Sequence, residues 1–317
     1  MTGAATPFIA ILGPTASGKS ALACELAASL SADLISCDSM QVYRGLDIGT
    51  AKPSLAERQR IPHHLIDLLD IHAPWDANQH AAAARRLLDA ARQAGRPVIL
   101  VGGTGLYART IIYGLPLEPS DKRLAAEILA AWRQHGTSRL LNEVAACSRE
   151  LAGQVGENPR RLLRTVEIIR LTGAPPQGWQ NTRRPGLTAP DWHQFVLMPE
   201  PVFHRQTILM RTQEMIRSGW IEEARRLYAQ GLEQTPTARQ ALGYGVIRDY
   251  LDGSLASLAE LTASIVGKTW QYARRQKTWF RHQHPGARLV ALAASTDRQR
   301  LLTELGSAGR SEDTCAR

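Results

Sequence analysis

Phe8 to Leu12 is an unbroken apolar run of strand length, and Ala21 to Ala27 reads as a helix that follows it. Between them lie Gly13, Pro14, Thr15, Ala16, Ser17, Gly18, Lys19 and Ser20. A second strand-sized run, Asp33 to Cys37, is closed by Asp38. Ala77 to Ala94 is alanine-rich, helical in character and stopped by Gly95. Pro97 to Val101 is a further buried strand, ending in Gly102-Gly103-Thr104-Gly105, and Leu106 to Tyr113 predicts the next helix. Strand and helix alternate, which predicts a parallel sheet flanked by helices. Ligands of such sheets bind beyond the carboxyl ends of the strands, so Asp38 and Thr104 are expected to share an edge with the Gly13–Ser20 turn.

The pattern changes after Pro116. Helical periodicity predicts helices over Lys122 to His135, Ser138 to Ala146 and Arg160 to Leu171, with no strand among them. The stretch from Pro175 to Pro190 carries six Gly or Pro residues and is expected to be a mobile loop. Strand runs return at Gln194 to Met198 and at Ala287 to Ala291. The expected organisation is an α/β core over residues 1–115 and 191–305, a helical insertion over 116–190, and a disordered tail over 306–317.

The turn after the first strand fits G-x-x-x-x-G-K-[ST] in its required strand–helix context. Its glycines let the backbone wrap an anion with N–H groups pointing inward. The following helix N-terminus adds positive potential, Lys19 adds a charge, and the Ser20 hydroxyl is placed to ligate Mg²⁺. A polyphosphate ligand follows, of unspecified kind. The 317 residues are 44% apolar and 21% charged, ordinary for a globular enzyme, and no apolar stretch approaches membrane-spanning length. Residues Met1 to Ile11 show no secretory pattern, and Cys24, Cys37, Cys147 and Cys315 form no C-x-x-C pair. A reduced, cytoplasmic protein is expected, with buried inert thiols at the first three. The 38 basic and 29 acidic residues leave a net charge of +9, which favours a polyanionic partner only weakly until the charges are located.

A polar segment without periodicity, Asp38 to Pro53, follows the second strand. Together with Gly13–Ser20, Val101-Gly102-Gly103-Thr104-Gly105-Leu106-Tyr107 and Ile61-Pro62-His63-His64-Leu65-Ile66-Asp67, it resembles the tRNA dimethylallyltransferases, also called isopentenyl-tRNA transferases. The likeness continues through Asn158-Pro159-Arg160-Arg161-Leu162, Arg239 to Tyr244 and Arg275 to Arg281, so it covers residues from about 8 to about 282 with its motifs in order. The resemblance implies a P-loop NTPase-like α/β core with a tRNA-binding helical insertion. It also implies transfer of a dimethylallyl group from dimethylallyl diphosphate to N6 of the adenosine just 3′ of the anticodon, position 37, in tRNAs reading codons that begin with U. On that reading Asp38 is the general base, Thr104 stands near the reacting diphosphate, and Arg123 or Lys122 approaches the diphosphate from the insertion. The stretch Pro119 to Arg123 is a residue or two shorter than the family pattern, which leaves those last two positions open. Mg²⁺ is implied at Ser20. As a lone residue Asp38 also fits a metal-linked or capping role, and Thr104 also fits an N-cap.

Contacts to tRNA, the anticodon stem-loop in particular, are implied for Asp38, Ser39, Met40 and Gln41; for Arg160, Arg161, Leu162, Leu163 and Arg164; and for Arg239, Gln240, Ala241, Leu242, Gly243 and Tyr244. The densest such segment is Arg274, Arg275, Gln276, Lys277, Thr278, Trp279, Phe280 and Arg281, where basic and aromatic residues interleave as single-stranded RNA requires. On a helix Arg274, Lys277 and Arg281 share one face, while some of the aromatics are core. A basic residue often follows the Gly-Tyr pair in the family, but here Gly245 does, which weakens a phosphate contact there. His63, His64 and His72 lack metal-ligand spacing and read as structural. Two rivals share the anion turn. A small-molecule kinase lacks a use for arginine-rich helices, and a nucleotide-switched RNA-binding module needs a clear apolar strand ending in Asp, which Leu65-Ile66-Asp67 matches only faintly. A monomer is expected, since no long exposed apolar heptad occurs.

Overall fold

The computed structural model describes residues 8–114, 118–176, 192–294, 297 and 300–303. The tail at 306–317, Cys315 and most of the Gly/Pro-rich loop lie outside the described residues. The chain forms two compact units, Met1–Gly114 with Leu187–Arg317, and Leu115–Gly186.

The first unit begins with β1 (Phe8–Leu12), α1 (Lys19–Leu30), β2 (Asp33–Cys37), α2 (Leu55–Arg60), β3 (His63–His64), α3 (Ala77–Gln93), β4 (Val98–Gly102) and α4 (Gly105–Tyr113). The second unit holds α5 (Lys122–His135), α6 (Thr137–Cys147), α7 (Arg149–Val155) and α8 (Pro159–Thr172). The chain returns to the first unit with β5 (Trp192–Pro199), α9 (Pro201–Arg217), α10 (Trp220–Ala229), α11 (Tyr244–Leu251), α12 (Leu258–Gln283) and β6 (Arg288–Leu292).

All six strands are parallel, in the order β3-β2-β4-β1-β5-β6. Every residue of β1, β2 and β4 is buried, so these strands show no alternation of buried and exposed positions; β1 and β4 carry no polar side chain, while β2 buries Asp33 and Ser36 with partners in His64 and Gln41. Ile9, Ile11, Leu34, Ile99 and Val101 meet Leu22, Ala23 and Leu26 of α1 in one core cluster. Burial of each large aliphatic side chain here contributes about 2 kcal/mol. The order places β4 between β1 and β2, so the loop after β4 lies between the anion turn and Asp38. A second cluster unites Val42, Tyr43 and Leu46 with Trp220, Leu227, Tyr244 and Leu261, and carries the polar segment after β2 on α10, α11 and α12.

The helical unit packs around Ile128, Leu140, Val144, Leu151, Val155, Leu162 and Val166. Asp121, Ser148 and Asn158 cap α5, α7 and α8 through backbone N–H groups. Helix α7 is absent from the sequence reading because its seven residues offer only Leu151 and Val155 as apolar anchors. Cys147 is exposed at the end of α6 and Cys24 is half-buried, so only Cys37 of the described thiols is the expected inert core residue. His63 faces Cys24 and the Ile61 carbonyl, while His64 bonds Asp33. Among the described residues no helix is long and apolar enough to cross a membrane.

Candidate active site

The anion turn is a wrapped backbone with a free helix end. Gly18 is the N-cap of α1 at φ 82°, a left-handed conformation that a residue with a Cβ resists, and no side chain caps the helix. The first turn of α1 therefore keeps its N–H groups for a ligand. Ala16 also sits at φ 59°, and is held there by burial against Ile208 and Ala273. Lys19 Nζ donates to the Pro14 carbonyl at 3.2 Å, curling back over the turn, and Ser20 is exposed in the first turn of α1.

Asp38 and Thr104 are joined through backbone. Thr104 Oγ1 accepts the Ser39 N–H at 3.1 Å, and the Thr104 N–H donates to the Cys37 carbonyl at 3.2 Å. The hydroxyl does not cap α4, although Thr104 occupies the N-cap position. Asp38 Oδ1 accepts the Met40 N–H at 2.8 Å, which fixes its rotamer at the end of β2. Further along, Glu223 is buried and accepts the N–H groups of Asp47, Ile48 and Gly49 at 3.0, 2.8 and 3.1 Å, with the Tyr244 hydroxyl donating to it at 2.6 Å. That carboxylate shapes the loop that returns Ile48 and Ala51 to the anion turn.

A cavity of about 440 Å³ opens beside the turn, lined by Lys19, Ser20, Ile48, Ala51, Arg211 and Met215 among others. Burial, and next the Arg211 guanidinium, bring the Lys19 ammonium down to about 8, against the attraction of Asp38. Arg211 is itself lowered by burial and drawn the other way by Asp38. Two buried cations held this close are an arrangement that a polyphosphate would relieve. Sequence reasoning missed Arg211. Its only local signal was an arginine in a mixed helix, and its place at the turn comes from packing of α9. Arg123, by contrast, lies in the first turn of α5 with its side chain 91% exposed, bonded to Glu127 at 3.2 Å, and Lys122 beside it is exposed too. The guanidinium beside the turn in the core unit is that of Arg211.

The expected RNA segments divide by burial. On α12, Arg274, Arg275, Thr278 and Arg281 are exposed along one arc, whereas Phe280 is in the core and Gln276 is buried. Lys277 does not join that arc: its ammonium donates to the Pro199 carbonyl at the end of β5. Trp279 is partly buried, and its indole occupies the space where a Cβ on Gly105 would lie, 2.1 Å from Cδ1. It packs as a wall of the Thr104 loop. In α8, Arg160 and Arg161 are exposed, Leu162 is core, Leu163 packs beside it, and Arg164 is committed to Glu167 at 2.7 Å and to the Glu118 carbonyl at 2.8 Å. Arg170 is likewise held by Glu143. Between α10 and α11, Arg239 and Gln240 are exposed, Leu242 is partly so, and Ala241, Gly243 and Tyr244 are buried. Gln41 is turned inward, accepting from Ser36 Oγ and donating to the Thr50 carbonyl, and Met40 packs on the second core cluster. The buried members of these segments therefore position the exposed ones and offer no surface of their own.

The IPP transferase family model matches residues 41–283. A tRNA dimethylallyltransferase of Kocuria rhizophila is 39% identical over 274 residues, 86% of each chain. One from Halorhodospira halophila is 39% identical over 90% of this chain and 93% of its own. Among solved structures, the tRNA isopentenylpyrophosphate transferase of Bacillus halodurans superposes with a TM-score of 0.67 at 31% identity, over 97% of this chain and 98% of its own. Sequence, motif order and fold agree along nearly the whole length, and the chain belongs to the IPP transferase family.

Proposed function

We propose that this protein transfers the dimethylallyl group of dimethylallyl diphosphate to N6 of adenosine 37 of tRNA, releasing diphosphate. The observation that carries the reading is the Ser39–Thr104 hydrogen bond, which ties the loop bearing a carboxylate to the loop bearing a hydroxyl beside the anion turn. In the reaction the N6 lone pair attacks the allylic carbon as its bond to the diphosphate oxygen breaks. Positive charge grows at carbon and nitrogen, and negative charge on the leaving group. Asp38 accepts the N6 proton. The turn N–H groups, Lys19 and Arg211 receive the departing diphosphate, and the Thr104 hydroxyl donates to its bridging oxygen. No phosphoryl group moves. The target base must leave its stack to reach Asp38.

A Mg²⁺ ion fits this arrangement through Ser20. Among the described residues no group of three or more His, Cys, Asp or Glu stands ready for a metal, so the ion would be held by one hydroxyl and by diphosphate oxygens. When bound it would offset charge on the leaving group. Within the first unit the exposed arc of Arg274, Arg275 and Arg281, with Arg239, is proposed to contact tRNA, and within the helical unit Arg160 and Arg161 are proposed to do so. A cytoplasmic monomer is the proposed working form.

The test is incubation with labelled dimethylallyl diphosphate and unmodified tRNA. Label in N6-(dimethylallyl)adenosine is expected, with no release of phosphate from ATP. ATP hydrolysis without transfer of the allylic label to RNA would refute the reading and favour a kinase or nucleotide switch.

A further inference from the structure

Thr15, inside the anion turn, has both of its backbone groups held from outside the turn. Its N–H donates to Gln276 Oε1 at 2.9 Å, and its carbonyl accepts from His204 Nε2 at 2.8 Å. His204 is fully buried on α9, and burial takes its imidazole down to about 4, so it is neutral and its Nε2 carries the proton. Gln276 then spans a second gap: its Nε2 donates to the Gly103 carbonyl at 2.8 Å. One buried amide thus satisfies the turn of Lys19 with its oxygen and the loop of Thr104 with its nitrogen. Only one orientation of the amide meets both partners. Gly103 lacks a side chain where one would collide, since a Cβ there would stand 2.7 Å from Gln276 Nε2. The contacts run 261 and 173 residues along the chain, so no local structure provides them.

We infer that Gln276 is a positioning residue for dimethylallyl transfer, holding the diphosphate turn and the Thr104 loop at one separation from α12, with His204 fixing the opposite side of Thr15. The inference rests on the transfer reading above. Its physical content is that a hydroxyl serving a bridging oxygen must stay within hydrogen-bond reach while the loop N–H groups hold the terminal phosphate, and a displacement of about 1 Å is enough to cost about a hundredfold in rate. Glutamine suits the task because a neutral amide carries a donor and an acceptor at a fixed spacing. Two residues away, Arg274 begins the exposed arc of the same helix, so the strut and the proposed RNA surface move together.

The test compares Gln276→Leu, which removes both bonds, with Gln276→Glu, which keeps the acceptor for Thr15 and loses the donor to Gly103. Leu88→Ala, in the core of α3 and away from the turn, controls for general loss of stability. For each, kcat is measured at saturating tRNA and donor and each KM by varying one substrate while the other saturates, with pyrophosphate affinity by calorimetry, tRNA affinity by filter binding, and thermal melts. Gln276→Leu is expected to lose about tenfold to a hundredfold in kcat and to bind pyrophosphate more weakly, with tRNA affinity kept. Gln276→Glu should fall between it and the parent, and Leu88→Ala should melt earlier with kcat per folded molecule unchanged. Parental kcat and pyrophosphate affinity in Gln276→Glu, or in a folded Gln276→Leu, would overturn the inference. Failure of the parent protein itself to bind pyrophosphate would instead overturn the diphosphate reading on which it stands.

Discussion

Replacing Lys19 by Met is expected to stabilise the donor-free protein while removing its diphosphate affinity. Folding takes this ammonium from an ordinary 10.5 down to about 8, chiefly by burial and then by Arg211. At ~1.4 kcal/mol per tenfold change in proton affinity, the charged form is destabilised in the fold by about 3 kcal/mol. The bond to the Pro14 carbonyl offsets about 1 kcal/mol, and the open cavity beside Lys19 screens part of the remainder. A net gain of about 1–2 kcal/mol is left for the variant, which corresponds to a Tm rise of roughly 2–6 °C. The sign with pH follows from linkage. The folded state binds fewer protons at this site than the unfolded state between about 8 and 10.5, so the parent gains stability as pH rises through that window. The advantage of the variant is full below pH 8 and vanishes near 10.5. Thermal melts of both proteins at pH 7 and pH 9.5, with and without pyrophosphate, read all of this. Pyrophosphate at about a hundredfold its Kd should stabilise the parent by about 2.7 kcal/mol and the variant hardly at all. A variant that melts below the parent at pH 7, or an advantage that widens with pH, would refute the reasoning.

Other outcomes follow from the same site. Asp38→Asn keeps an acceptor for the Met40 N–H, so pyrophosphate binding should persist while kcat falls by ~10²–10⁴; near-parental turnover would remove Asp38 as the base. Arg211→Gln should weaken pyrophosphate binding at least tenfold and Arg123→Gln should leave it unchanged in calorimetry without tRNA, and the reverse order would return the diphosphate role to the helical unit. Neutralising Arg274 or Arg281 should each flatten the slope of log K for tRNA against log[salt] by roughly 0.7–0.9, whereas Lys277, whose ammonium is tied to Pro199, should change it little; parental slopes for the Arg274 and Arg281 variants would mean the exposed arc does not meet RNA.

The anion turn, the strands that flank it and the basic character of α12 are legible in the chain because each is a local property. A run such as Phe8–Leu12 reports burial on both faces, and Gly18-Lys19-Ser20 reports the loop at the end of it. Periodicity also separates Ala77–Ala94 and the helices of the second unit, though not the short α7. It does not say which residues of a matched motif point outward. Leu162, Ala241, Tyr244, Gln276 and Phe280 sit in motifs read as RNA contacts and are buried, because motif membership is equally strong for a contact and for the residue that braces it.

What the sequence determined by itself is the chemistry on offer: an anion turn, Asp38 after a strand, Thr104 in a glycine-rich loop, and motifs in the order of the family to which the chain belongs. What only the tertiary structure decided is which side chains bring these parts to one place. Strand order sets β4 between β1 and β2. Arg211, Glu223, His204 and Gln276 act on groups far away in the chain, across separations of 175, 189 and 261 residues for the last three. Their roles come from side chains meeting backbone groups that local patterning leaves unsatisfied. Such a requirement is not written at either partner, because an unpaired N–H has the same sequence signature as a paired one, and only the folded chain shows who supplies the bond.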